Sequence, residues 1–266
     1  MVSQEMAFVG IDVSKHDFVA AIHGATTSRT YTNEPVGFAR LKKHLARLRA
    51  PVRIALEPTG GYELDLWIAL DEAGFHVRQV CAAHIKAFRD SFGARAKTDR
   101  IDATMIAAYL AERPDSGRAL PSRNIRRIKA LAAKRRQLVH SRKALLCQEK
   151  QHTDGDILAM TCEMIELHDI QIKELNILIA DLVAADEILC KHRDLLRTFP
   201  GVGPVVLTTL LTEMPELGML KPGQASALAG LAPVTRQSGQ WKGKSFVQGG
   251  RVHVRSAMFI AARFAA

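Results

Sequence analysis

The run Phe8-Val9-Gly10-Ile11-Asp12-Val13, followed by Ser14-Lys15, decides how this chain of 266 residues is read. Its β-branched and aromatic residues suit a buried strand over residues 7–13. Among them stands one carboxylic acid, Asp12. An ionised carboxylate in a buried strand is costly unless it is paired or holds a metal, so Asp12 is the first candidate for chemistry. Outward from it, residues 17–23 and the short run Thr27–Thr32 read as hairpin partners of that strand. Residues 35–49 place Phe38, Leu41, Leu45 and Leu48 at helical spacing. Val52–Leu56 is a second buried strand, ended by Glu57-Pro58. Glu63–Ala73 reads as a helix, His76–Cys81 as a strand, and 83–92 and 99–113 as helices. A hairpin followed by alternating strands and helices implies an α/β domain, residues 1–115, with helices packed on a mixed sheet.

The second half has a different pattern. Residues 123–150 read as one strongly basic helix with Ile125, Ile128, Leu131, Leu138 and Leu145 on its apolar stripe. Asp154-Gly155-Asp156 is a turn, and Ile157–Leu189 a further long helix. Its Leu175, Leu178, Leu182, Ala185 and Leu189 recur in steps of three and four, a coiled-coil-like seam. Residues 116–194 are therefore expected to form a helical hairpin, either a dimerisation arm or ordinary packing within one chain. Residues 195–266 are expected to form a mainly α domain. In it Phe199-Pro200-Gly201-Val202-Gly203-Pro204 joins two short helices, 235–250 is polar and glycine-rich, and Arg251–Ala262 is helical.

Composition narrows the function classes. The chain has 37 Lys and Arg against 27 Asp and Glu, a net charge of +10. Residues 86–150 hold 17 basic and 6 acidic side chains, and residues 236–266 hold 6 basic and none acidic. Between them, residues 151–235 hold 5 basic and 12 acidic. Two separate basic blocks favour a nucleic-acid partner over a merely solvated surface. No apolar run reaches the ~18 residues of a membrane span. No basic leader precedes a long apolar core, so a cytoplasmic protein is expected, associated with the nucleoid when it acts. The cysteines Cys81, Cys147, Cys162 and Cys190 stand far apart, which argues against a zinc ribbon or a disulfide scaffold.

Three further acids join Asp12 as candidates. Glu57 closes the strand 52–56. Asp99 and Asp102, three apart at the start of a helix, project from one face. Taken singly, Asp99 reads as a helix cap or first-turn acid, Asp102 as a solvated helix position, and Glu57 as a strand-end ion pair. Taken together, an all-oxygen donor set suits Mg2+ or Mn2+.

Three motifs carry these acids: Gly10-Ile11-Asp12-Val13-Ser14-Lys15, Glu57-Pro58-Thr59-Gly60-Gly61-Tyr62-Glu63, and Lys97-Thr98-Asp99-Arg100-Ile101-Asp102-Ala103. They resemble the N-terminal motifs of the insertion-sequence-110 family of DEDD transposases, which includes Piv-type DNA invertases. The later half agrees through Pro200–Pro204, Ala229-Gly230-Leu231-Ala232-Pro233, Ser238-Gly239, Gly243-Lys244, Gly249-Gly250-Arg251 and Val254-Arg255. The resemblance implies a RuvC-like, ribonuclease-H-like first domain. Its four acids fall on Asp12, Glu57, Asp99 and Asp102, with Mg2+ or Mn2+ as cofactor. It also implies a serine nucleophile at Ser238, with Ser245 the nearest rival in the same basic loop.

Several nucleic-acid contacts follow from the same resemblance and from charge. Lys97 adjoins the acids. Arg126, Arg127, Lys134, Arg135 and Arg136 lie on the basic helix, a candidate surface for a structured guide (bridge) RNA. Gly201 and Gly203 form a helix-hairpin-helix-like element or a plain structural turn. Arg236, Lys242, Lys244, Arg251 and Arg255 would contact phosphates, and Trp241 a base. The implied partners are double-stranded donor and target DNA, a guide RNA, and further copies of the chain as a dimer or tetramer. Relatives continue past the Arg255 helix, so a shortened second domain is expected. A RuvC-like nuclease that activates water, or an inactive nucleic-acid-binding remnant, are the competing expectations.

Overall fold

A computed structural model describes residues 6–93, 98–235, 237–239 and 241–266. The chain divides into two compact units, Met1–Leu120 and Pro121–Ala266.

The first unit is built on β1 (Ala7–Val13), β2 (Asp17–Ile22), β3 (Ser28–Thr32), β4 (Val52–Leu56) and β5 (His76–Gln79). They form one sheet in the order β3-β2-β1-β4-β5. β2 runs antiparallel to β1 and to β3, while β1, β4 and β5 are parallel. The mixed sheet expected from the hairpin and the β–α alternation is present. Strand periodicity then sorts the side chains. Val9, Ile11, Val13, Ile54 and Leu56 face a core shared with α1 (Pro35–Leu45) and α2 (Leu64–Asp71), which contribute Phe38, Leu41, Leu45, Leu66 and Leu70. The other face carries Phe8 and Ala55 against α3 (Ala82–Ser91) and α4 (Asp99–Glu112), which supply Ile85, Ile106, Tyr109 and Leu110.

Gly10 is the position that lets α4 close onto the sheet. A Cβ there would lie 2.1 Å from the Ala103 carbonyl oxygen and 2.3 Å from the Ala107 nitrogen. Ala103 itself packs on Val19 and Ala21 of β2. Small residues on both elements therefore bring the helix backbone almost onto the strand.

The second unit contains α5 (Arg123–Glu149), α6 (Gly155–Ala184), α7 (Glu187–Leu196), α8 (Pro204–Glu213), α9 (Pro222–Ala229) and α10 (Val252–Ala265). On α5 and α6, Arg142 pairs with Asp169 and Arg135 bonds Asn176, so α6 runs back along α5. Ile128 and Ala132 of α5 meet Ile179 and Val183 of α6, Leu189 of α7, and Leu207 and Leu211 of α8. The opposite side of α8 packs Val206, Leu210 and Met214 against Val254, Ala257 and Ala261 of α10. Every residue of α8 from Val206 to Thr212 is buried. Its threonines satisfy their hydroxyls on its own backbone, Thr208 donating to the Pro204 carbonyl and Thr212 to that of Thr208.

Two local expectations are corrected. The helix expected over Ile157–Leu189 breaks after Ala184, because Asp186 caps a new helix by accepting from the Ile188 and Leu189 N–H groups. Of the expected seam, Leu189 is buried and Leu182 packs beside it, whereas Leu178 and Ala185 are exposed and Ile179 and Val183 take the inward positions. Asp154 and Gly155 are not a free turn: Asp154 caps α6 through the Asp156 and Ile157 N–H groups. The glycine-rich segment contains a β-ladder, with β6 (Pro233–Val234) paired to β9 (Phe246–Val247) and β7 (Gln237–Ser238) to β8 (Trp241–Lys242).

Candidate active site

In the first unit, strand register puts Asp12 and Glu57 on one sheet face, and the helix that packs on that face carries Asp99 and Asp102. Asp12 follows Phe8 and Gly10 in the strand alternation and so lies on the side crossed by α4. β4 is parallel to β1 with Ile11 beside Leu56, so Glu57 comes next in register, level with Asp12. Arg53, Ala55 and Glu57 alternate with the core residues Ile54 and Leu56, which puts Glu57 on the same side as Asp12. Both are half-buried.

α4 supplies the other pair. Thr98 is its N-cap, its hydroxyl accepting from the Ile101 N–H at 3.3 Å. Asp99 is exposed in the first turn, where a negative charge also suits the helix dipole. Asp102, one turn on, is only 15% exposed and is held by Arg89 of α3, Nη1 to Oδ1 2.9 Å. An edge-on contact of Phe88 with Tyr109 of α4 holds the helix that carries Arg89. Ala103 meets Val19 and Ala21, the partners of Asp12 and Gly10, while Ile106 and Leu110 meet Phe8, so the start of α4 lies toward the Asp12 end of β1.

The loop after Glu57 is organised by a residue to which the sequence reading gave no role. Glu63 is 7% exposed. Its Oε2 accepts from the Thr59 N–H (3.1 Å), the Thr59 hydroxyl (3.1 Å) and the Gly61 N–H (2.9 Å). Its Oε1 accepts from Gln79 Nε2 at 2.8 Å. Gln79 Oε1 in turn accepts from Arg118 Nε at 2.9 Å. Asn33 ties the same loop to the β1–β2 turn, its Nδ2 donating to the Ser14 and Tyr62 carbonyls at 3.0 Å each. The only sequence signal for Glu63 was its place at the end of the Glu57–Glu63 motif.

The donor chemistry suits Mg2+ or Mn2+, all the candidate ligands being carboxylate oxygens. Strand register supplies Asp12 and Glu57 on one face, and α4, packed on that face, supplies Asp99 and Asp102. Among the described residues, however, no three His, Cys, Asp or Glu side chains form a group ready to hold an ion. Arg89 holds one oxygen of Asp102, Oδ1.

The second unit carries the candidate serine. Ser238 is exposed in β7, opposite Trp241 of β8, with Gly239 in the left-handed region at φ 57° at the turn between them. Trp241 is 61% exposed, and Lys242 and Lys244 are also exposed. Ser245, the rival, donates its hydroxyl to Thr235 Oγ1 at 3.2 Å.

The basic residues divide into bound and free. Arg251 places Nη1 and Nη2 on the two carboxylate oxygens of Glu216 (2.7 and 2.8 Å) and Nη1 also on the Glu213 carbonyl. Arg255 donates to the Gly249 carbonyl. Arg126 donates to the Pro121 carbonyl, Arg135 to Asn176, and Arg136 stands 3.7 Å from Glu213. Arg127 and Lys134 are exposed on α5. Gly201 has a packing role: at φ 79°, its Cβ would meet the Ala261 carbonyl oxygen at 2.2 Å. Gly203 caps α8 with open space before it. Lys97 and Arg236 lie outside the described residues. Among the described residues, no helix is long and apolar enough to cross a membrane.

Comparison with known proteins covers both halves of the chain. A family model described as transposase, of the DEDD type, matches residues 9–155. A second, described as Transposase IS116/IS110/IS902 family, matches residues 193–266. The chain is 29% identical over 272 residues to the pilin gene-inverting protein of Moraxella lacunata. It is 30% identical over 273 residues to that of Moraxella bovis. Each alignment spans 96% of this chain and 81% of the relative.

Proposed function

This chain belongs to the IS110 family of transposases, and we propose that it cuts and rejoins DNA strands using the acids of its first unit and Ser238 of its second. The observation that carries this reading is the common sheet face: Asp12 and Glu57 are level in adjacent parallel strands, and Asp99 and Asp102 begin the helix that crosses them. On this reading the sheet of the first unit is ribonuclease-H-like. Mg2+ or Mn2+, held by the four acids, would stabilise negative charge on the phosphate oxygens at the reacting centre.

The chain's own groups have defined tasks. The Ser238 hydroxyl loses its proton to water as its oxygen bonds to phosphorus. The phosphorus–oxygen bond to the neighbouring sugar breaks, and that sugar oxygen takes up a proton to leave as a hydroxyl. Attack by another strand's hydroxyl reverses these changes, so the phosphodiester is restored without ATP. Gly239 at the turn and exposed Trp241 opposite suit a hairpin that lies against DNA.

The reading extends to partners. Donor and target DNA would be cut and exchanged together, which calls for a homodimer or tetramer acting at the nucleoid. A structured guide RNA is the proposed ligand of the basic surface, where Arg127 and Lys134 are exposed. As in the gene-inverting relatives, inversion of a DNA segment is one form that the exchange can take.

A denaturing gel of the protein with end-labelled DNA and Mg2+ tests the reaction. A protein–DNA adduct is expected, absent in Ser238→Ala. Free nicked product that survives Ser238→Ala would instead establish a nuclease that activates water. Asp12→Asn is expected to lose all strand cleavage and keep DNA affinity within about twofold of wild type, measured by fluorescence anisotropy.

A further inference from the structure

The second unit contains a cleft of about 830 Å3, within the usual size range of ligand sites. Four arginines line it, Arg135, Arg136, Arg193 and Arg197, and no aspartate or glutamate is among its lining residues. A concave site with one sign of charge concentrates field and favours an anion.

The arginines are unevenly neutralised, and among the described residues neither Arg135 nor Arg197 has a carboxylate within ion-pair distance. Arg135 donates Nε to a neutral partner, Asn176 Oδ1, at 2.6 Å. Burial also lowers its pKa, the expected result when a cation gives up water without gaining a carboxylate. Arg136 stands 3.7 Å from Glu213, whose other oxygen is held by Lys129 at 2.9 Å. Arg193 pairs with the exposed side chain of its neighbour Asp194 at 2.8 Å, and that bond raises its pKa. Arg197, at the end of α7, is exposed. At the same cleft, α8 begins at Gly203 without a side-chain cap.

Much of the rest of the wall is apolar. Ile179, Val183 and Leu207 line it, together with Phe199, which is 57% exposed. Guanidinium groups beside an open aromatic ring match the two parts of a nucleotide, a charged phosphodiester and a flat base. A cleft of this size cannot admit a duplex, whose bases are in any case stacked and paired.

We infer that the cleft holds an unpaired nucleic-acid segment, with its phosphodiesters on Arg135, Arg193 and Arg197 and a base against Phe199. The inference rests on the proposed recombinase activity only for the origin of such a segment, either a looped-out part of a guide RNA or a strand displaced from DNA. All the residues that line the cleft belong to the second unit.

The test uses the full chain with fluorescein-labelled single-stranded RNA and single-stranded DNA of about twelve nucleotides, and the corresponding DNA duplex. Affinity is read by anisotropy over a salt series. Arg193→Gln with Arg197→Gln is expected to weaken binding of the unpaired strand at least about tenfold. It should also flatten the plot of log affinity against log salt by about 0.7 per lost phosphate contact. Phe199→Ala is expected to weaken binding about five- to hundredfold with the salt slope unchanged, and Phe199→Tyr to restore it. Far-ultraviolet circular dichroism checks that each variant is folded. Stronger binding of RNA assigns the segment to a guide, and stronger binding of DNA to a displaced strand. Folded variants that bind like wild type, or that lose duplex and single-strand affinity equally, overturn the inference. Asp12→Asn should bind the unpaired strand normally. Failure of the cleavage reaction would therefore leave the cleft assignment standing, and failure here would leave the reaction standing.

Discussion

At the level of single residues, the carboxylate of Glu63 is the most consequential feature of the first unit that no motif explained. It accepts from two backbone N–H groups, a hydroxyl and an amide while almost wholly buried. Such bonds are worth more than neutral ones, and their loss leaves buried donors without an acceptor. Glu63→Gln keeps the size but removes the charge and turns one acceptor into a donor. It is expected to cost about 1–3 kcal/mol in urea denaturation. Because the loop it holds begins at Glu57, strand cleavage is expected to fall by more than the loss of folded protein, with DNA affinity unchanged. A parallel fall in all three would reduce Glu63 to a stabilising residue. Arg89 acts in the opposite sense, occupying Asp102 at 2.9 Å.

At the level of elements, caps and small residues decide where helices start and how closely they pack. Asp186 ends what would otherwise be a continuous helix from α6 into α7. Its carboxyl is held below the usual carboxylate range, first by the Leu189 N–H and next by Asn124, with a further bond from the Ile188 N–H. A folded-state pKa below the unfolded value of about 3.9 stabilises the fold at higher pH, and the gain is lost as pH falls through the folded value. The melting temperature is therefore expected to drop below about pH 4 in part through this group. Asp186→Ala should remove that part of the acid dependence and cost about 0.5–2 kcal/mol at neutral pH, a usual loss for an N-cap. Thermal melts of both proteins from pH 3 to 7 check it. An unchanged acid limb in the variant would mean that other carboxylates account for it.

At the level of the whole molecule, charge and chemistry are divided between the units. Residues 1–120 carry 16 basic and 14 acidic side chains, and residues 121–266 carry 21 and 13. The excess positive charge thus lies with the serine hairpin and the arginine cleft, and the candidate acids lie in a nearly neutral unit. Each unit has its own buried core. Residues 121–266 expressed alone are expected to fold cooperatively and to bind DNA with most of the affinity and salt dependence of the full chain, measured by anisotropy between about 50 and 200 mM salt. Residues 1–120 alone should fold and bind at least tenfold more weakly. Equal affinity of the two pieces would contradict that division.

By itself, the sequence determined the elements and the identity of the candidate acids. Short apolar runs marked β1 and β4, three-and-four spacing marked α1 and α5, and a carboxylate inside an apolar strand singled out Asp12, because these signals come from a residue and its near neighbours. The tertiary structure alone decided that Gly10 admits the backbone of α4, that Arg89 holds Asp102, that Glu63 organises the loop after Glu57, and that Arg251 is bound to Glu216. It also broke the long helix at Asp186, where Asn124, 62 residues earlier, bonds the capping carboxylate. Each of these depends on groups far apart in the chain or on a choice between local conformations of similar energy. Periodicity constrains which face a side chain occupies, but the partner it meets there is fixed only when separate elements pack together.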